Sequence, residues 1–328
     1  MAHRMGGEAG GDSSDVSSAA AAVPSGITVP APPSRLLDAD FLKKLERLSV
    51  TSKRPFPGRM KGEKRSTKRG TSIEFADYRE YAVGDDLRYV DWKAYARLER
   101  LFLKLFVEEE DLSIHLLLDA SQSMGYASAP GHLTKFDYAR KIAAALGYVG
   151  LVRYDRVGVS AFGHSLGRRV PTLRSRASVP TLFQYLEQIA PGGTTNFAHA
   201  LQNYAQRTSS APGVCVVLSD FLDPNWEKGI RALLARRFQV VLLQILDPEE
   251  VEPTFLGDLR LVDAETGESR EVSVTPQVLA RYRNALDSFC GQLSETANRH
   301  GMDYLRTTTD APFEDLLLKT LRGSGLLR

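Results

Sequence analysis

Short runs of apolar residues alternate with longer amphipathic segments from about residue 113 to the end of the chain. The runs have the length and composition of strands buried on both faces. We predict strands at residues 114–118, 156–162, 214–219, 239–246 and 302–306. We predict helices at residues 136–154, 179–189, 225–237, 276–300 and 312–322, with another that ends at Arg207. This alternation is typical of a doubly wound, mostly parallel sheet with helices on both faces, a Rossmann-like architecture.

The remaining segments divide the chain into three regions. Residues 1–34 are rich in Gly, Ser, Ala and Pro and are expected to be disordered, since they bury too little apolar surface to offset ordering entropy. Residues 35–110 are expected to form a small N-terminal α+β segment that includes an amphipathic helix at 41–48. Residues 111–328 form the main domain, with an antiparallel edge at 167–173. A hairpin insertion is predicted near 257–275, pivoting on Glu265-Thr266-Gly267-Glu268.

Composition indicates a globular protein with a substantial core. The 328 residues are 43% hydrophobic and 25% charged, with a net charge of +2. No apolar stretch approaches the roughly 18 residues of a spanning helix, and no secretory signal is evident, so we expect a cytoplasmic protein without a membrane span. Cys215 and Cys290 fall in a predicted strand and a predicted helix, and we expect buried free thiols rather than a disulfide.

Residues 53–70 form a basic stretch with eight Lys or Arg residues and one acid, Glu63. Such a stretch favours either a solvated loop or contact with an acidic protein partner. It contains a single aromatic residue, Phe56, and so lacks the stacking residues of single-strand binders. Nucleic acid is therefore not an expected partner.

Acids and hydroxyls follow two of the predicted buried strands. Asp119-Ala120-Ser121-Gln122-Ser123 comes directly after residues 114–118, and Asp220 follows residues 214–219. Between them lies a glycine-rich turn, Gly192-Gly193-Thr194-Thr195-Asn196. Open α/β sheets bind ligands at the carboxyl ends of their strands, so these side chains are expected to meet there. Oxygen donors of this kind suit a hard divalent cation such as Mg²⁺, Mn²⁺ or Ca²⁺, whereas zinc or copper would call for His and Cys.

The pattern D-x-S-x-S, then a distant Thr, then a distant Asp resembles the metal-ion-dependent adhesion site of von Willebrand factor A domains. The resemblance implies that Ser121 and Ser123 bind the ion directly, while Asp119 and Asp220 act largely through bound waters. The threonine is either Thr194 or Thr195, and we favour Thr195. Neutral hydroxyls leave such an ion under-neutralised, so an acidic side chain of another protein can complete its shell.

A second resemblance rests on residues 74–81 and 84–93, where aromatic and charged residues alternate densely. With the D-x-S-x-S that begins about 28 residues beyond Asp91, this region resembles the DUF58 family over roughly residues 69–163, and the weaker parts of the metal-site pattern extend the match to Asp220. The resemblance implies a von Willebrand A-like domain at residues 111–328. The resemblance implies an adaptor or substrate-binding partner of a MoxR-type AAA+ ATPase, docked to the ATPase or its client through an acidic side chain. Without the family, residues 84–93 predict a tight, salt-bridged loop, for which a scaffold role and direct partner binding both remain open.

The sequence offers little support for an enzyme. Haloacid-dehalogenase-like phosphatases place a nucleophilic Asp where Asp119 stands, but they need a second acid two residues on, where this chain has Ser121. Asp223 keeps that idea open. No phosphate-binding G-x-x-x-x-G-K-[ST] and no G-x-S-x-G elbow occur, and the histidines are scattered, although His199 follows Thr195 by one helical turn. We therefore expect a non-catalytic, metal-dependent protein-interaction module without a small-molecule substrate. The alternative is a Mg²⁺-dependent, phosphatase-like hydrolase that uses Asp119.

Overall fold

A computed structural model describes residues 36–53, 73–108 and 111–328 of the chain. The predicted disordered tail at 1–34 lies outside these residues, as does most of the basic stretch at 53–70. Both expectations therefore stay predictions.

The strands of the described residues fall into one large sheet and two hairpins. Their bounds are β1 Ile73–Glu80, β2 Phe102–Glu108, β3 Ser113–Asp119, β4 Arg156–Phe162, β5 Leu166–Arg169, β6 Leu173–Arg174, β7 Val214–Ser219, β8 Gln239–Leu246, β9 Gly257–Val262, β10 Ser269–Val274 and β11 Asp303–Thr308. The large sheet has the order β11-β8-β7-β3-β4-β5, and β6 also pairs with β4. Strands β11, β8, β7, β3 and β4 run parallel, whereas β5 and β6 are antiparallel to β4.

Helices connect the strands and cover the sheet. Their bounds are α1 Ala39–Leu45, α2 Trp92–Leu98, α3 Lys135–Val152, α4 Val179–Gln188, α5 Phe197–Arg207, α6 Trp226–Ala235, α7 Pro248–Val251, α8 Pro276–His300, α9 Phe313–Asp315 and α10 Leu321–Gly323. A π-helical turn, Leu316–Thr320, joins α9 to α10, so the predicted helix at 312–322 changes its hydrogen-bond pattern within its length.

The core lies on both faces of the sheet because successive strand residues point to opposite sides. Ile114, Leu116 and Leu118 of β3 pack into a cluster that also contains buried residues of α1, α3 and α4. Leu117 of the same strand packs into a second cluster with residues of α5, α6 and α8. The doubly wound, mostly parallel sheet predicted from the sequence is therefore confirmed.

The described part of the N-terminal segment contains helices α1 and α2 and strands β1 and β2. Strands β1 and β2 pair as an antiparallel hairpin. Residues 84–93 contain a 3₁₀ turn, Leu87–Tyr89, and the start of α2, so they are more regular than the predicted loop. Asp91 begins α2 by accepting hydrogen bonds from the backbone N–H groups of Lys93 and Ala94. Ion pairs are also present, since Arg88 contacts Asp86 at 2.6 Å.

Residues near α1 hold the C-terminal end of the chain. Val50 forms a β-bridge with Leu327, and the Ser49 backbone N–H donates to the Arg328 carbonyl at 3.0 Å. Leu327 is buried in the same core cluster as α1. The first and last described segments are therefore joined by both hydrogen bonds and apolar packing.

Both cysteines and His115 of β3 are buried. Cys215 and Cys290 are free and buried, as the sequence predicted, and burial raises the pKa of the Cys215 thiol. His115 is buried within β3, where its Nδ1 lies 2.7 Å from the Tyr204 hydroxyl. Among the described residues, no helix combines the length and apolar character needed to cross a membrane.

We predict that Gly213→Ala strongly destabilises the fold. A Cβ at this position would lie 1.9 Å from the Ser113 carbonyl oxygen, so the starts of β3 and β7 would have to separate. Overpacking of this kind costs about 1–3 kcal/mol and occasionally more. Gly291→Ala in α8 is the matched control, because nothing lies within 4 Å of the added methyl and alanine favours helix by up to about 1 kcal/mol. Urea unfolding is the measurement, and a Gly213→Ala midpoint equal to wild type would contradict the close approach.

Candidate functional site

Two buried carboxylates stand at the carboxyl ends of neighbouring parallel strands. Asp119 ends β3 and Asp220 directly follows β7, and the pairing of Leu118 with Leu218 brings the two strand ends level. Asp119 is 1% exposed and Asp220 is 3% exposed. The fold thus places two acids side by side with little access to water.

Both oxygens of Asp119 accept hydrogen bonds from the protein. The Ser121 backbone N–H donates to Oδ1 at 3.0 Å, and the Ser219 hydroxyl donates to Oδ2 at 2.6 Å. Burial, and then the negative charge of Asp220, raise the pKa of Asp119 to about 7, although these hydrogen bonds oppose the rise. Asp119 is therefore fixed in orientation and binds a proton readily when no other cation is near.

The two serines of D-x-S-x-S present their hydroxyls next to the carboxylates. Ser121 precedes a 3₁₀ turn, Gln122–Gly125, which brings Ser123 back beside it. The two hydroxyl oxygens lie 3.0 Å apart, and the Ser123 hydroxyl donates to Asp220 Oδ2 at 3.4 Å. The turn thus gathers two hydroxyls and a carboxylate at one place.

A buried lysine supplies positive charge to this acidic site. Lys135, the first residue of α3, is 1% exposed. Its Nζ donates to Asp220 Oδ2 at 2.8 Å and to Glu250 Oε1 at 2.6 Å. Burial disfavours the ammonium form, but the negative charges of Asp220 and Glu250 outweigh that effect and raise the pKa of Lys135. Lys135 is therefore charged and compensates part of the negative charge of the two acids.

The neighbouring threonines of the glycine-rich turn point to different places. Thr195 lines the same cavity as Asp119, Ser123 and Asp220, a space of about 470 Å³. The Thr194 hydroxyl lies 3.3 Å from His164 Nδ1 and lines a separate pocket. The cavity position favours Thr195 over Thr194 as the site residue.

Thr195 is held by an acid from the β9–β10 hairpin. Its hydroxyl donates to Glu265 Oε1 and its backbone N–H donates to Glu265 Oε2, each at 2.8 Å. Residues 263–266 at the tip of this hairpin line the cavity. The predicted hairpin insertion is thus present, and its tip lies at the site.

Asp223, the second acid considered for hydrolysis, has a structural role. Its Oδ2 accepts from the Phe197 backbone N–H at 2.9 Å and its Oδ1 accepts from the Asn225 backbone N–H at 2.6 Å. These contacts join the start of α5 to the loop after β7. His199 is exposed, and its ring contacts Asn203 at 2.9 Å.

The structure brings the predicted residues Asp119, Ser121, Ser123, Thr195 and Asp220 to one edge of the sheet. Sequence reasoning missed three contributors: Ser219, Lys135 and Glu265. The sequence placed Ser219 at the end of a predicted strand but gave no sign of its contact with Asp119. Lys135 begins a predicted helix, but its burial against two acids depends on tertiary packing. The sequence placed Glu265 in the turn of the predicted hairpin and did not indicate its contact with Thr195.

The candidate site offers oxygen atoms as its possible metal ligands. Within the part of the chain that the structure describes, no group of three or more His, Cys, Asp and Glu residues is arranged to hold a metal. The site at β3 and β7 belongs to another class, with two carboxylates and several hydroxyls. Carboxylate and hydroxyl oxygens are the type of donor that hard cations such as Mg²⁺ and Ca²⁺ prefer.

Comparisons with known proteins give a family and several distant structures. The family described as "Protein of unknown function DUF58" matches residues 77–288. Rv1480, an uncharacterized protein of Mycobacterium tuberculosis, is 29% identical over 286 residues, covering 85% of this chain and 89% of its own length. MAV169, an uncharacterized protein of Mycobacterium avium, is 31% identical over 145 residues, 43% of this chain and 85% of its own.

Among solved structures, the conserved hypothetical protein BatB of Bacteroides thetaiotaomicron is 13% identical with a TM-score of 0.41, covering 65% of this chain and 98% of its own. An aerotolerance-related membrane protein of Bacteroides fragilis has the same coverage and TM-score at 16% identity. Proximal thread matrix protein 1 of the mussel byssus, solved with a zinc-occupied MIDAS motif, is 13% identical with a TM-score of 0.35, covering 66% of this chain and 48% of its own. With TM-scores below 0.5, these likenesses carry no functional assignment.

We predict that Lys135→Met destabilises the protein by about 3–5 kcal/mol, because it leaves the buried carboxylate of Asp220 without its cation. Lys141→Met on the same helix is the control, since Lys141 is only half-buried. Thermal and urea unfolding in the presence of a chelator measure both variants. Similar losses for the two would show that Lys135 has no special electrostatic role.

The pKa of Asp119 predicts a pH dependence of the metal-free protein. A carboxyl whose pKa is about 7 in the folded state and 3.8 otherwise stabilises the fold at low pH, and this contribution is lost as pH rises through 7. In EDTA, the free energy of unfolding should fall by about 1.4 kcal/mol more between pH 6 and pH 8 in wild type than in Asp119→Asn. Urea titrations at both pH values are the test. Equal falls in the two proteins would mean that Asp119 does not titrate in this range.

Proposed function

The chain belongs to the DUF58 family, and we propose that it is a non-catalytic docking protein whose site binds a hard divalent cation, Mg²⁺ or another such ion, and through it an acidic side chain of a protein partner. One observation carries the proposal. The hydroxyls of Ser121 and Ser123 lie 3.0 Å apart beside Asp119 and Asp220, at the sheet edge where open α/β folds bind ligands.

The spacing of the hydroxyls suits Mg²⁺. Ligand oxygens at about 2.0–2.1 Å from an octahedral Mg²⁺ are about 2.9 Å from their neighbours. Ser121 and Ser123 are therefore spaced as two adjacent ligands. Asp119 has both oxygens fixed by protein donors, which suits contact with the ion through water, and Thr195 is the remaining hydroxyl of the same cavity.

The charge of the site also supports docking. Lys135 offsets part of the charge of Asp220, so the protein's own acids neutralise a divalent cation less completely than two free carboxylates would. A bound cation would then retain affinity for a further carboxylate. A protein partner with an exposed Asp or Glu is the chemistry that this balance favours.

We further propose that the partner is a MoxR-type AAA+ ATPase or its client. This part of the proposal rests on the family resemblance, in which the chain acts as an adaptor in chaperone-like assembly or remodelling. The phosphate-binding sequence of P-loop NTPases is absent from the chain, so in this account the partner supplies ATP hydrolysis.

The hydrolase alternative has less support. A haloacid-dehalogenase-like phosphatase needs a general acid two residues beyond its nucleophilic Asp, and the residue at that position here is Ser121. Asp223 is the second acid that a phosphatase would need, yet both of its oxygens accept backbone hydrogen bonds.

We predict that wild-type protein binds Mg²⁺ and Mn²⁺ and that Asp119→Ala/Ser121→Ala reduces the affinity at least about tenfold, because it removes a hydroxyl ligand and an acid that orders the site. Isothermal titration calorimetry is the measurement. Ser288→Ala, a change at an exposed position of α8, is the control. Unchanged affinity in the double variant would contradict the site.

The same variants test the partner in a native lysate. A partner retained by wild type and by Ser288→Ala in Mg²⁺, but lost in EDTA or with the double variant, supports docking through the ion. Capture that is equal under all conditions contradicts it. Turnover of a generic phosphate ester that depends on Asp119 would favour the hydrolase instead.

A further inference from the structure

The hairpin formed by β9 and β10 carries one residue at its tip that is partly shielded from solvent. The two strands form a sheet of their own, and residues 263–264 and 266–271 are exposed. Glu265 alone within 260–271 is half-buried, because its carboxylate contacts Thr195. A largely exposed element therefore brings the Glu265 carboxylate into contact with a residue of the candidate site.

The tip is shaped to present that acid. Asp263 Oδ1 accepts from the backbone N–H groups of Glu265 and Thr266, each at 2.8 Å. The Asp263 backbone N–H donates to the Glu268 carbonyl at 2.8 Å, and Gly267 has a φ of +73° that closes the turn. The turn is thus fixed by its own hydrogen bonds, so the Glu265 side chain is left for contact with the domain.

The place that Glu265 occupies is favourable for a carboxylate. It lies at the start of α5, where the Thr195 backbone N–H donates to Oε2 and the positive end of the helix dipole favours an anion. The Thr195 hydroxyl donates to Oε1. The same cavity is lined by Asp119, Ser123 and Asp220, so the acid of the hairpin and the predicted ion-binding groups share one space.

We propose that Glu265 is a resident acidic ligand of this site, a carboxylate of the chain itself that holds the place of a partner's carboxylate. This inference rests on the proposed function, since it names how that site is regulated. A partner acid gains access when the hairpin lifts and Glu265 leaves Thr195. The partner's group is then a carboxylate, because it takes the place of the Glu265 carboxylate at the N–H and hydroxyl donors of Thr195.

The geometry of the hairpin suits such an exchange. Lifting the tip exposes little apolar surface, since most of β9 and β10 is already exposed. The movement breaks the two hydrogen bonds from Thr195, and a partner carboxylate can restore both. The buried base of the hairpin, at Val274, can remain in place while the tip moves.

A small carboxylate tests the proposal directly. Mn²⁺ is added to an excess of protein so that the metal is bound, acetate is titrated, and the proton relaxation of its methyl group reports binding near the ion. Glu265→Gln and Glu265→Ala should lower the acetate concentration at half-effect about tenfold relative to wild type, a factor equal to about 1.4 kcal/mol. Glu268→Gln, an acid of the same turn with an exposed side chain, should behave as wild type.

The outcomes separate this inference from the function on which it rests. If wild type fails to bind Mn²⁺, both are overturned. If Mn²⁺ binds and acetate titrates equally in wild type, Glu265→Gln and Glu265→Ala, the inference alone is overturned. Faster hydrogen exchange of the Thr195 amide in both Glu265 variants, with no change in Glu268→Gln, would further support a latch held by that carboxylate.

Discussion

Two carboxylates buried next to each other require a nearby cation, and the arrangement of the site follows from that constraint. Asp119 and Asp220 are almost fully excluded from water, where like charges repel strongly and a charge without a partner is costly. Lys135 supplies part of the positive charge through its ion pair with Asp220. Asp119 is held by uncharged hydrogen-bond donors. Its pKa is raised because its negative charge is buried beside that of Asp220. A proton or a metal ion can supply the remaining positive charge, so the site is poised to bind either.

The fold brings the two acids together and also supplies the groups that contact them. Parallel pairing of β3 with β7 brings the two acids level, and the turn after β3 adds the hydroxyls of Ser121 and Ser123. Helix α3 begins with the lysine that pairs with Asp220, and the hairpin brings Glu265 to the same cavity. Charge from the core and charge from a surface element thus meet at one cavity, which is the physical basis for coupling ion binding to docking.

Much of this could be predicted from the sequence because its signals are local. The apolar runs predicted β4 and β8 with the bounds that the structure has, and Asp119 and Asp220 were placed by directly following such runs. Family membership was likewise predicted from residues 74–93 and the D-x-S-x-S. The pairing of Lys135 with Asp220 was not predictable, because the two are 85 residues apart and a lysine at a helix start is ordinarily solvated. Glu265 meets Thr195 across 70 residues, a contact that no local pattern encodes.

The central claim is that the cation of this site is a metal ion held by the serine hydroxyls, in addition to the ammonium of Lys135. A crystal structure of the protein soaked in Mn²⁺, with anomalous diffraction collected at the manganese edge, tests it most directly. We predict an anomalous peak within about 2.3 Å of the Ser121 and Ser123 hydroxyl oxygens, slightly longer than the roughly 2.1 Å of Mg²⁺. A structure at saturating Mn²⁺ with no peak there, and with Lys135 as the sole cation between the acids, would contradict it.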